Sequence, residues 1–171
     1  PGANAYGRVL NNLGLCYSNL GDHAASRRHF QLAATIFEKN GNTRDLVLSL
    51  SNLAGVSIQE GRLGDAEAFL RRAEPLANAA ADRFARTDIL LNRSNASLRR
   101  GDFRLGKQQA EEALALARSI PARREEATGL HLLGAHALQL NDTAAGVPAL
   151  LQAAGLRRAL GLRDHAADSL S

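Results

Sequence analysis

The chain contains no tryptophan, no methionine, one cysteine and four prolines, and only 4% of its residues are aromatic. Each shortage removes a class of protein. A lone cysteine, Cys16, leaves no internal disulfide and no thiolate cluster for zinc, so a reducing, cytoplasmic setting is expected. Few aromatics, with abundant alanine and leucine, favour close helix packing over the branched and aromatic surface of a sheet. No apolar run approaches the roughly 20 residues of a membrane-spanning helix. The first residues, Pro1 to Ala5, show no basic stretch leading into an apolar one, so neither a membrane span nor a leader is expected. Long runs of one charge are also missing. The net charge is +4, but pairs such as Arg27-Arg28, Arg71-Arg72, Arg99-Arg100, Arg123-Arg124 and Arg157-Arg158 are dispersed among acids, with no interleaved aromatics. Nucleic-acid binding through this segment is therefore disfavoured.

What is present is periodic. Of the 171 residues, 45% are hydrophobic and 22% charged, a balance that specifies a folded chain. Leucine recurs at Leu10, Leu50, Leu90, Leu130 and Leu170, alanine at Ala33, Ala73, Ala113 and Ala153, and a large aliphatic at Ile36, Leu76, Leu116 and Leu156. The period is 40 residues, and such self-similarity is the signature of stacked supersecondary units. Turn residues keep the same step at Gly21, Gly61, Gly101 and Asn141, the residue types that best tolerate the left-handed end of a helix. Asp22, Asp102 and Asp142 follow and are expected to cap the next helix.

Apolar spacing of three and four on either side of each hinge predicts helices over 4–20, 23–39, 44–60, 63–78, 84–100, 103–118, 123–140 and 143–160. They pair into four hairpins, about 3–40, 43–80, 83–120 and 123–160, with 161–171 opening a further repeat. Small residues stand where paired helices must approach: Gly14, Ala54, Ser94 and Gly134 on the first helices, and Ser26, Ala66, Gly106 and Gly146 on the second. The fold class expected is all-α, a right-handed α-solenoid of about four repeats with a partial fifth, forming a single segment over 1–171.

Asn12-Leu13-Gly14 through Tyr17 with Gly21-Asp22, and Gly101-Asp102-Phe103 running to Ala110, Ala113 and Leu114, resemble the tetratricopeptide repeat. The period exceeds the ordinary repeat of about 34 residues and is similar to the longer repeats of kinesin light chains, MalT-like activators and peptide-sensing bacterial regulators. Departures are a leucine at the tryptophan-like early position, Arg93 in place of a leucine, and Pro148 in the last second helix, where irregularity is expected. Both ends fall within the register, so a longer natural protein is expected, with self-association through uncapped ends as one consequence.

The resemblance implies that the first helices line a concave groove. Asn12, Asn52 and Asn92 would face it, the series broken by Leu132, and amides can pair with both the N–H and C=O of an extended ligand. The bland alternative is that these asparagines pair locally. Asn19, Gln59, Arg99 and Gln139 lie seven residues further along the same face, while Arg8, Asn95 and His131 are expected to border it, Arg8 and Arg99 being able to meet a carboxylate. Relatives that grip chaperone tails carry lysines where Asn11 and Asp88 stand, which disfavours that ligand.

No catalytic constellation is visible. Cys16 sits among apolar residues and is expected to be a buried packing residue. His23 and His29 are six apart and His131 and His136 five apart, neither matching a helical zinc pair, and no glycine-rich phosphate loop is present. The expected function is a non-catalytic scaffold or sensor that binds a protein or peptide, without metal or cofactor. The alternative is the effector-sensing or oligomerisation arm of a bacterial transcriptional regulator.

Overall fold

The computed structural model describes residues 2–161. Packing divides the chain into two compact units, Pro1–Asn92 and Arg93–Ser171. Among the described residues there are eight helices and no strand: α1 (Gly2–Asn19), α2 (His23–Lys39), α3 (Thr43–Gln59), α4 (Leu63–Ala79), α5 (Arg83–Arg100), α6 (Phe103–Arg118), α7 (Arg123–Gln139) and α8 (Thr143–Ala159). The fold is an all-α repeat solenoid, and each helix lies within two residues of its expected span. Beyond Gly161, the further repeat expected over 161–171 lies outside the described residues.

The hinges share one hydrogen-bond scheme. Asp22 N–H donates to the Tyr17 carbonyl at 2.9 Å, closing α1, and the Asp22 carboxylate accepts from Ala25 N–H at 2.9 Å, opening α2. One residue thus ends one helix and caps the next. The closing bond recurs at Asn42, Arg62, Asp82, Asp102 and Asp142. Asp142 caps Ala145 as expected, whereas Asp102 makes no capping bond; its carboxylate lies 3.7 Å from Arg100 instead. Left-handed backbone recurs at every hinge except the one at Pro121, and where glycine is absent Ala81 (φ 49) and Asn141 (φ 61) adopt it.

In the first unit, α1 packs on α2, α2 on α3, α3 on α4, and α1 also touches α3; in the second, α6 packs on α7 and α7 on α8. The small residues act in pairs at the helix crossings. Ser26 Oγ donates to the Gly14 carbonyl at 2.8 Å, and Ser94 Oγ to the Gly106 carbonyl at 2.8 Å. The serine has changed sides between the first and third repeats while the bond is kept. Large partners fill what small residues leave open: Phe30 lies against Gly14 and Phe37 against Gly7, and both rings are buried.

Two expectations are corrected. α8 runs unbroken through Pro148, because a proline near the start of a helix forfeits one backbone bond and the packing of α7 on α8 holds the rest. Cys16 is exposed, although Val56, Ala96 and His136, its counterparts at 40-residue steps, are buried. Tyr6, Val9 and Leu13 share its exposure. α3 packs against the preceding α2; among the described residues no helix precedes α1.

Candidate functional site

Within the first unit, two clefts open along the first helices. One, of about 210 Å³, is lined by Arg8, Asn11, Asn12, Phe37, Asp45 and Leu48. The other, of about 320 Å³, combines buried Val47 and Ser51 with exposed Leu48 and Phe84, and carries Asp45, Asp82, Asp88 and Arg44. Asp45 and Leu48 belong to both, so the clefts adjoin. They are also related by the period, since 40 added to Arg8, Asn11 and Leu48 of the first gives Leu48, Ser51 and Asp88 of the second.

Asp45 is held firmly. Its carboxylate accepts from Arg8 Nε at 2.8 Å and from Asn42 Nδ2 at 2.8 Å. Asn42 in turn accepts from Asp45 N–H at 3.2 Å, so the pair caps α3 while fixing one anion at the junction of the clefts. Arg8 is 65% exposed at its side chain, and such a pair contributes at most about 1 kcal/mol.

The asparagine column is divided. Asn12 is exposed and lines the smaller cleft. Asn52 Nδ2 donates to Asn11 Oδ1 at 3.2 Å, and Asn92 Nδ2 to the Ser51 carbonyl at 3.1 Å. Both amides reach back 41 residues to the preceding first helix, tying neighbouring repeats in register. Ser49 Oγ lies 3.2 Å from Asn11 Oδ1 and 3.0 Å from the Asp45 carbonyl, its one proton shared between them. Of the other expected residues, Asn19, Gln59, Arg99, Gln139 and His131 are exposed and Asn95 is half-buried. Asp45, Leu48, Ser51, Asp82 and Phe84 were not singled out from sequence; stepping Arg8 and Asn11 forward by the period would have reached Leu48 and Ser51.

The second unit holds a buried imidazole. His136 is fully buried against Gly106 and Phe103. Its Nε2 donates to the Ser94 carbonyl at 3.1 Å and sits 3.1 Å from Ser94 Oγ, while Nδ1 has no partner. Protonation would place a charged N–H where no acceptor waits. Burial accordingly pushes the His136 pKa below its ordinary value of 6.5, with the Ser94 carbonyl opposing in part. The folded state therefore resists a proton that the unfolded chain takes up below about pH 6.5, and stability present above that pH is lost as pH falls toward the folded pKa. Replacing His136 with glutamine should flatten this dependence by up to about 1.4 kcal/mol per pH unit. Urea unfolding of both proteins from neutral to mildly acid pH measures it, and parallel curves would refute the assignment.

No described helix is long and apolar enough to cross a membrane, and no group of three or more His, Cys, Asp or Glu among the described residues could hold a metal ion.

Stacked hairpins with clefts along their first helices define a helical-repeat module. Residues 6–79 match the family model described as Tetratricopeptide repeat. Solved structures share the fold, among them the following two. BtubC (BKLC) from P. vanneervenii matches with a TM-score of 0.71 at 17% identity, over 92% of this chain and 65% of that one. The Signal Transduction ATPase with Numerous Domains from Pyrococcus horikoshii, which carries a tetratricopeptide repeat sensor, matches with a TM-score of 0.75 at 16% identity. The match covers 92% of this chain and 26% of that protein. The present chain thus spans less than two thirds of either. Comparison with curated protein sequences yields no match. Tetratricopeptide repeats generally mediate protein–protein interaction and serve as non-catalytic scaffolds.

Proposed function

We propose that the chain is a non-catalytic interaction module that binds an extended segment of a partner protein along the first helices of its first unit. The observation that carries this is the pair of adjoining, period-related clefts meeting at Asp45 and Leu48. Adjoining clefts suit an extended peptide, whose side chains can enter both while its main chain crosses between them. Asn12, exposed in the smaller cleft, offers an amide to that main chain, and Arg8 stands beside it. Asn52 and Asn92 contribute by holding the repeats in register beneath. The exposed Asn19 and Gln59 add polar contacts on the first unit, whereas Asn95, Arg99, His131 and Gln139 belong to the second.

Leu48→Arg places a bulky charge where the clefts meet, at a residue already exposed and therefore tolerant of it. Capture of a partner from source lysate is expected to fall by about tenfold or more, equivalent to about 1.4 kcal/mol. Leu32→Arg, on an exposed position of α2, should leave capture unchanged. Equal capture by wild type and Leu48→Arg would place binding elsewhere.

A further inference from the structure

We infer that the larger cleft, between α3 and the start of α5, is a receptacle for a lysine or arginine side chain of the bound peptide. It presumes the peptide-binding function proposed above and names the chemistry that the cleft selects.

Three features converge on a cation. The first is charge. Asp45, Asp82 and Asp88 line the cleft against one guanidinium, Arg44, so a locally acidic site sits on a chain of net charge +4. The carboxylates already have work in the fold: Asp45 binds Arg8, Asp82 accepts from Ala85 N–H at 3.0 Å, and Asp88 has an interaction of its own. A carboxylate offers two oxygens and about four lone-pair sites, so these duties leave acceptor capacity.

The second is Ser51. It lines the cleft, is only 5% exposed, and its hydroxyl has no hydrogen-bond partner. A buried hydroxyl without a partner is costly, and a ligand that reaches it recovers that cost. An apolar ligand would leave it orphaned, and an anionic one would meet the three carboxylates. A group rich in N–H donors satisfies both the hydroxyl oxygen and the acids.

The third is shape. Val47, Leu48 and Phe84 provide apolar surface beside the acids, which suits a hydrocarbon stem ending in a charge. The exposed ring of Phe84 adds a π face for a cation. A volume of about 320 Å³ lies at the lower end of ligand pockets, adequate for one long side chain with its adjoining main chain. The smaller cleft shows the same chemistry satisfied from within, because there Arg8 supplies a guanidinium to Asp45. Forty residues on, Arg8 and Asp45 are replaced by Leu48 and Ala85, while Asp88 stands in place of Leu48, so the larger cleft adds an acid and no counterpart of the Arg8 guanidinium.

The test is a titration of isotope-labelled protein, followed by amide chemical shifts. The probes are capped pentapeptides Gly-Ala-Xaa-Ala-Gly with arginine, lysine, citrulline or glutamate at the centre, and agmatine alone. Arginine and lysine peptides are expected to shift Leu48, Ser51, Phe84 and Ala85 saturably, with dissociation constants at least about tenfold below those of the citrulline and glutamate peptides. Asp82→Asn together with Asp88→Asn should abolish that preference; asparagine at position 82 keeps the helix cap, so the fold is retained. Ser51→Ala should weaken the arginine peptide by about threefold to tenfold, as for loss of one net hydrogen bond. Equal affinity for the citrulline or glutamate peptide would overturn the cation preference while leaving peptide binding intact. Agmatine binding as tightly as the arginine peptide would overturn the peptide as its source. Absence of shifts along either cleft with every peptide would overturn both this assignment and the function it presumes.

Discussion

Phe30→Ala should cost the first unit about 3–5 kcal/mol of stability, the range for removing a fully buried aromatic ring. Phe30 is 1% exposed and lies so close to α1 that a Cβ built on Gly14 would fall 2.6 Å from its Cε1. The ring occupies the space that Gly14 leaves open. Collapse into the resulting cavity is obstructed, because Ser26 Oγ already ties α2 to the Gly14 carbonyl at 2.8 Å and sets the helix separation. A site that cannot relax keeps the full cavity penalty. Urea unfolding followed by far-UV circular dichroism measures the loss, with Leu32→Ala on the exposed side of α2 as a reference expected within about 0.5 kcal/mol of wild type. A loss for Phe30→Ala no larger than that of the reference would show that α1 and α2 close over the gap.

Gly106→Ala should destabilise the second unit by about 2–4 kcal/mol despite alanine's better helix propensity. An added Cβ would run into the His136 ring, which is fully buried and bonded to Ser94. Overpacking of this kind costs about 1–3 kcal/mol, and displacing the imidazole from its carbonyl partner adds about 1–3 kcal/mol. The propensity gain offsets only about 0.5–1 kcal/mol. In a His136→Ala background the ring that the added Cβ would strike is gone, so its cost should vanish or reverse. The two changes should then show a coupling energy of about 1–3 kcal/mol in a double-mutant cycle. Additive effects would mean that Gly106 matters for its backbone and not for the room it gives His136.

These substitutions show where sequence reasoning reached and where it stopped. The hinges were legible because a left-handed residue followed by a capping side chain is a local requirement, met within a few residues of chain. Even there Asp102 departed, since the nearby Arg100 offers its carboxylate a competing partner. The small–large exchange at Gly14 and Phe30 could be suspected from the small-residue columns, but not the ring that fills it. His136 stood out in the sequence only as one of two histidines at the wrong spacing for zinc, whereas the fold brings Gly106 and Ser94 against it from two other helices. Cys16 failed for the opposite reason: its counterparts are buried in the other repeats, yet exposure depends on what covers a face, and nothing within the described residues covers that face of α1.

The asparagines make the same distinction at the candidate site. Their spacing by 40 was plain in the sequence, and amide chemistry suited either a ligand backbone or a neighbouring helix. Only the packed helices show Asn52 and Asn92 donating to residues 41 positions earlier and Asn12 standing in a cleft.

By itself the sequence determined that this protein is a chain of helical hairpins on a fixed period, because apolar spacing, small crossing residues and hinge chemistry act between residues close in the chain. Only the tertiary structure decided which polar groups are consumed inside the stack and which remain for a partner. That allocation turns on side chains from successive helices competing for the same donors and acceptors, and such competition has no linear signature.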